Sequence, residues 1–206
     1  MKIGIIGSGL MGSALGTVWA ARGHDVLFSY SRDAAKLNAL AAEAGHGARA
    51  SAPAEAASAD AVLLAVPWRR LDDALKAAGS LAGKTVLTCM LPMTPDDSAL
   101  ALGFNTSGAE ELARRTGARV IGTFNTVWSD VIRGRLNDRS NLPSMFYVGE
   151  DENARRTAET LIRDAGFEPV YAGALENARL LEPFGLLMGK MGFDYNPLVA
   201  YRFLRP

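Results

Sequence analysis

The chain has 206 residues, 22 basic and 22 acidic side chains, two histidines and a single cysteine, Cys89. Charges that cancel leave no electrostatic footprint for nucleic acid or an anionic membrane. One cysteine excludes an internal disulfide and any cysteine-built metal cluster, and no metal site is expected. No uninterrupted apolar stretch reaches the ~18–20 residues of a membrane span. Only Met1 and Lys2 precede the first apolar run, so no signal peptide is expected and the setting reads as cytoplasmic.

Residues Lys2 to Gly12 read KIGIIGSGLMG, an apolar strand entering Gly7-x-Gly9-x-x-Gly12. Gly7 suits the tight turn, Gly9 a backbone approached by pyrophosphate, and Gly12 a helix packed closely on the sheet. The predicted helix, from about Leu10 to Arg22, would present free N–H groups to the phosphates. A second strand is expected over Val26–Tyr30, then a helix from Ser31 to Ala44, a short strand near Ala48–Ala50 and a helix around Pro53–Ser58. Ala61–Val66 is continuously apolar, as a strand buried on both faces is, and Pro67 ends it. Leu71–Ala78 reads as helix and Lys84–Thr88 as strand. Leu91–Gly108, rich in Pro, Asp, Ser and Gly, is too long for a simple connector and suits a binding loop. Arg119–Phe124 is a sixth strand, followed by a second irregular segment, Asp130–Ser144. Strands over Met145–Val148 and Phe167–Tyr171 flank a helix from Glu152 to Asp164. The tail from Leu175 is helical in character until Pro197.

This alternation predicts an α/β chain: a Rossmann-type doubly wound, mostly parallel sheet with a small C-terminal α/β-helical portion. Residues 1–124 would form the nucleotide-binding domain. Residues 125–206 would close the cleft, and their apolar positions (Leu180, Leu181, Phe184, Leu186, Leu187, Met188) suit either the sheet or a homodimer interface.

NAD-binding units place an acid at the end of the second strand for the ribose 2′-OH. Here Ser31 and Arg32 follow that strand instead, with Lys36 one helical turn on. A hydroxyl and two cations suit a 2′-phosphate, so NADP is the expected cofactor. Asp33 reads as a first-turn residue complementing the helix dipole.

With these residues in view, the chain resembles the F-420-dependent NADP oxidoreductases. The resemblance rests on Gly7–Gly12, Ser31-Arg32 with Lys36, Val66-Pro67-Trp68, Thr106-Ser107 and Phe124-Asn125-Thr126-Val127. Its most specific part is Ala172-Gly173-Ala174-Leu175 through Arg179-Leu180-Leu181-Glu182. The resemblance implies that Ser8, Gly9, Leu10 and Met11 line the pyrophosphate and that Ser31, Arg32 and Lys36 hold the 2′-phosphate. It places Val66, Pro67, Trp68 and Arg70 beside the adenosine half, and Asn125, Val127 and Ser129 near the nicotinamide. Trp128 and Ser107 would face the second substrate, a deazaflavin (coenzyme F-420) or a flavin such as FMN. At Asn125 and Trp128 the chain departs from archaeal members, which carry His and Pro.

No catalytic residue is assigned. His24 and His46 read as surface or turn residues. Lys190 and Tyr195 are the only candidates for a dehydrogenase base, and Lys190 reads as a solvated helix residue. Hydride transfer between two flat rings needs stacking and water exclusion more than a proton shuttle. Trp68 and Trp128 follow strand ends, where open α/β sheets bind ligands. Three readings remain: a hydride transferase between NADPH and a ring acceptor, a small-substrate reductase of the β-hydroxyacid or pyrroline-carboxylate type, and a non-catalytic NADP-sensing module.

Overall fold

The apolar runs become strands covered on both faces, and their period-two alternation divides the core in two. Ile3, Ile5, Phe28, Leu63, Leu87 and Ile121 point into one layer. Ile6, Leu27, Val62, Leu64, Val86 and Val120 point into the other.

The computed structural model describes residues 1–31, 33–135, 141–195 and 199–204, without the side chains of Asp194 and Tyr195. The strands are β1 (Lys2–Ile6), β2 (Asp25–Ser29), β3 (Arg49–Ala50), β4 (Ala61–Leu64), β5 (Thr85–Thr88), β6 (Arg119–Thr123), β7 (Ser144–Val148) and β8 (Glu168–Tyr171). Between and after them run α1 (Leu10–Ala21), α2 (Ala34–Ala44), α3 (Pro53–Ala57), α4 (Leu71–Ala78), α5 (Gly108–Thr116), α6 (Ser129–Gly134), α7 (Glu152–Asp164) and α8 (Ala178–Tyr195). All eight strands lie in one sheet, ordered β3-β2-β1-β4-β5-β6-β7-β8. Strands β1 to β6 are parallel. β7 runs antiparallel to β6, and β8 parallel to β7. The order reverses between β1 and β4, and the crevice at such a switch point is where open α/β sheets take ligands.

One layer is closed by large rings. Trp19 on α1 meets Phe124 edge-on at 5.9 Å between centroids, and Phe124 meets Phe167 at 6.3 Å. The Trp19 indole N–H donates to the Leu161 carbonyl at 2.9 Å and ties α1 to α7. On the other layer α3 lies so close to β1 that a Cβ on Gly4 would sit 1.9 Å from the Ala56 carbonyl oxygen.

Several sequence expectations shift. β2 ends at Ser29, and Tyr30 leaves it with φ +57°. β4 ends at Leu64, two residues before the expected Val66. α2 starts at Ala34 rather than Ser31. Asp33 is its N-cap, accepting from the Ala35 and Lys36 N–H groups at 2.9 and 3.2 Å. A carboxylate that accepts from two open N–H groups caps the start of the helix at Asp33. The irregular segment after β6 contains α6, tied to α1 by the Arg133–Ser13 hydrogen bond at 2.7 Å. β7 and β8 extend the same sheet, so residues 125–206 share it with the first part of the chain. α8 turns Leu181 and Met188 inward and leaves Leu180 and Leu187 exposed. No helix among the described residues is long and apolar enough to cross a membrane.

Candidate active site

Three parallel strands turn over at their C-terminal ends through positive φ: Gly7 after β1 (+106°), Tyr30 after β2 (+57°) and Phe124 after β6 (+59°). Strained backbone of this kind, in aromatic residues above all, concentrates at sites of function. The glycines of the first turn divide their duties. A Cβ on Gly7 would lie 2.4 Å from the Ala65 carbonyl oxygen, and one on Gly12 2.0 Å from the Gly7 carbonyl oxygen. Neither position has room. Around Gly9 nothing lies within 4 Å of the missing Cβ. Gly9 also caps α1, whose first N–H groups meet no side-chain cap and whose first turn holds no acid. The start of α1 is therefore an open, positively polarised end. Ser8 turns its hydroxyl away, donating to the Ser29 carbonyl at 2.9 Å.

Two cavities flank this turn. The first, about 450 Å³, lies over the ends of β1, β2 and β4. Its walls include Gly7, Ser8, Gly9, Ser31, Val66 and Pro67, and its charged residues are Lys36, Arg69, Arg70 and Asp73. Lys36 and Arg70 have no carboxylate partner among the described residues. Arg69 is held by Asp97, from the irregular segment after β5, at 3.1 Å. The Tyr30 hydroxyl donates to Asp73 at 2.7 Å. Tyr30, Arg69 and Asp73 were not singled out by sequence reasoning. The position of Tyr30 just past the second strand was the available signal. Ser31 accepts from the Asp33 N–H at 3.2 Å. Arg32 lies outside the described residues.

The second cavity, about 280 Å³, is an apolar slot. Leu10 and Met11 come from the glycine turn, Cys89 and Leu91 from the end of β5, and Phe124, Asn125, Val127, Trp128 and Ser129 from the chain after β6. Gly185 and Gly189 of α8 complete it. Burial pushes the Cys89 thiol up to about 12, so it stays protonated at ordinary pH. Among the described residues the slot holds no other ionisable side chain. It does hold two buried polar atoms without partners, Asn125 Oδ1 and Trp128 Nε1. The Trp128 ring packs edge-on against Phe193 at 4.6 Å between centroids.

Three expected site residues face neither cavity. Gly12 is buried in packing and faces neither cavity. Trp68 packs on the core layer formed by α3, α4 and their strands. Ser107 is fully buried: its hydroxyl accepts from the Glu110 N–H at 3.1 Å and donates to the Glu110 carboxylate at 2.8 Å. That is a capping box at the start of α5, not a substrate contact. His24 is buried rather than superficial, its Nε2 2.9 Å from Asp164 Oδ2, at the opposite end of the sheet from the cavities. Tyr195 has no described side chain, and Lys190 is exposed.

The motif that most marked the resemblance turns out to be a clamp. Arg179 binds the Glu110 carboxylate through two hydrogen bonds of 2.9 and 2.6 Å, holding that acid below the usual carboxylate range. Glu182, buried, accepts from the Gly108 and Ala109 N–H groups at 2.9 and 3.0 Å. Desolvation nevertheless raises its carboxyl to about 7. Together they fasten α8 to the start of α5 and so hold the slot's glycine wall in place.

Residues 2–92 match the family described as NADP oxidoreductase, coenzyme F-420-dependent. This segment is similar to that family, and it contains the glycine turn and the lining residues of the first cavity. Over its whole length the chain is similar to the structure of a candidate F-420-dependent NADP reductase from Arthrobacter sp. FB24, with 24% identity, 100% of both chains covered and a TM-score of 0.87, which establishes the fold. It is also similar to a hypothetical protein of Sinorhizobium meliloti at 27% identity, 100% and 97% coverage and a TM-score of 0.80. An Aspergillus terreus imine reductase in complex with NADPH4 and dibenz[c,e]azepine matches at 26% identity and a TM-score of 0.67; 95% of this chain spans 63% of that one. Among curated proteins none matches.

Proposed function

We propose that the protein is an NADP(H)-dependent oxidoreductase that moves a hydride between the nicotinamide and a flat ring acceptor of the deazaflavin (coenzyme F-420) or flavin (FMN) type. The observation that carries this reading is one glycine turn flanked by a cationic cavity and by an apolar slot that, among the described residues, has no proton-transfer group. NADP(H), when bound, supplies or takes up the hydride.

The chain's own residues bind and orient. The open start of α1 and the bare Gly9 suit the pyrophosphate. Ser31, Lys36 and Arg70, with Arg32 by its sequence position, suit the 2′-phosphate. Val66 and Pro67 wall the adenosine half. Leu10, Met11, Asn125, Val127 and Ser129 line the nicotinamide end, and Trp128 helps to exclude water there. Ring-to-ring transfer asks for alignment in a dry site and no protein acid, and the slot offers those conditions.

Imine reduction is the second reading, favoured by the likeness to the NADPH4-bound imine reductase. Among the described residues the slot's one ionisable side chain is the Cys89 thiol, pushed up to about 12, so the proton that an imine nitrogen takes up would come from solvent, as a ring acceptor's would. The test is NADPH consumption by the purified protein against a panel of F-420, FMN, cyclic imines and keto acids. Turnover confined to the ring acceptors supports the proposal, and turnover confined to imines replaces it. Tight NADPH binding with no turnover makes the protein an NADP-sensing module.

Residues 125–206 would close the slot over the nucleotide-binding part, residues 1–124, through α6 and α8. The outer face of α8, with Leu180 and Leu187 71% and 53% exposed, suits a homodimer, which light scattering checks. A single cysteine fits a cytoplasmic setting.

A further inference from the structure

Three glycines of α8 face the chain that follows β6, and two have a reason in the protein itself. A Cβ on Gly185 would lie 2.5 Å from the Asn125 carbonyl oxygen, and one on Gly192 2.1 Å from the Trp128 indole nitrogen. Gly189, between them, lines the slot yet has nothing within 4 Å of its missing Cβ. Glycine inside a helix costs stability relative to alanine, and among the described residues no protein contact at this position explains the choice. Gly9 shows the same pattern at the other end of the site, a bare backbone facing open space where a ligand group must come close. A second observation points the same way. Asn125, also lining the slot, keeps its Oδ1 buried and unpartnered, and such atoms normally find a partner.

We propose that Gly189 sets the acceptor specificity: the acceptor's flat, uncharged ring lies against the α8 backbone there, and Asn125 meets a polar group on the ring's edge. This rests on the hydride-transfer reading. In the step concerned, the reduced nicotinamide loses a hydride, two electrons with one hydrogen nucleus, and is oxidised. The ring gains that hydride, is reduced, and takes its balancing proton from solvent.

The experiment compares the full-length wild type with Gly189→Ala and Gly189→Leu. NADPH affinity is read by fluorescence titration, F-420 and FMN affinity by equilibrium dialysis with NADP present, and turnover with each ring. Gly189→Leu is expected to keep NADPH affinity within about twofold while ring affinity and turnover fall at least ~tenfold, with Gly189→Ala between. Melting points should not fall, because both substitutions suit a helix and the space is open. The milder Gly189→Ala carries the test if the leucine variant misfolds. Unchanged ring affinity in a folded variant overturns the role of Gly189 alone. Equal losses of NADPH and ring affinity overturn it too, since the nicotinamide would then lie against Gly189. A wild type that neither binds nor reduces any ring removes the functional reading, and this inference with it.

Discussion

The cationic cavity and the apolar slot flank one glycine turn, yet they would select by different physics. The first offers Lys36, Arg70 and an open helix end, and a charge-assisted contact there depends on the ligand carrying phosphate. The second offers shape, an apolar lining and a bare helix backbone. Affinity for the nucleotide and choice of its redox partner should therefore be separable by mutation.

Gly9→Val should break both halves at once, because the turn serves both. A side chain there meets open space, so the melting point should hold, while NADPH affinity falls by ~100-fold or more as the phosphate approach is blocked. A variant that still binds NADPH would remove the glycine turn from the site. Lys36→Ala combined with Arg70→Ala should touch the cationic side alone, weakening NADPH by ~10–100-fold and NADH little, as isothermal titration would report. Equal losses for both nucleotides would show that these cations do not meet the 2′-phosphate. Trp128→Ala should touch only the slot, slowing turnover with a ring acceptor by roughly tenfold while NADPH affinity is kept. Unchanged turnover would take Trp128 out of the slot's working wall.

A separate effect, on stability rather than binding, concerns the clamp behind the slot. In the folded protein burial pushes the Glu182 carboxyl from its ordinary value of 4.5 up to about 7. A raised carboxyl pKa means the folded state holds the proton more tightly than the unfolded one. The associated stability is complete below about 4.5 and is lost as pH rises through about 7. The wild-type melting point should thus decline from pH ~5 to pH ~8 relative to Glu182→Gln, a swing of roughly 2–3 kcal/mol. Parallel profiles in calorimetry would deny the linkage.

The glycine turn and the strand–helix alternation that builds a mostly parallel sheet were legible in the sequence because each depends on local pattern: spacing, alternation and residue type. Tyr30 was not legible as a cavity residue, since a strand-like sequence does not announce that its last aromatic will adopt positive φ. Arg69 and Asp73 reach the cavity through a short 3-10 turn, Trp68–Arg70, and the start of α4, a local bend that apolar periodicity does not register. Ser107 misled because its motif is that of a cap, and a cap and a ligand contact use the same hydroxyl. The Arg179–Glu182 run marked the family, but its task depends on acceptors and donors about seventy residues away, at the start of α5. Only folding brings them together.

The ion pair between Arg69 and Asp97 links the cationic cavity to the irregular segment 91–107. Both partners are more than half exposed, at 53% and 61%. Such pairs contribute about 1 kcal/mol or less and weaken as ionic strength rises. Background electrolyte therefore becomes a dial on how firmly that segment is moored. Turned up, it should speed amide exchange between residues 94 and 100 without altering a single side chain. An arriving phosphate that competes with Asp97 for Arg69 would loosen the same mooring, so nucleotide occupancy and salt should leave similar exchange signatures in one stretch of backbone.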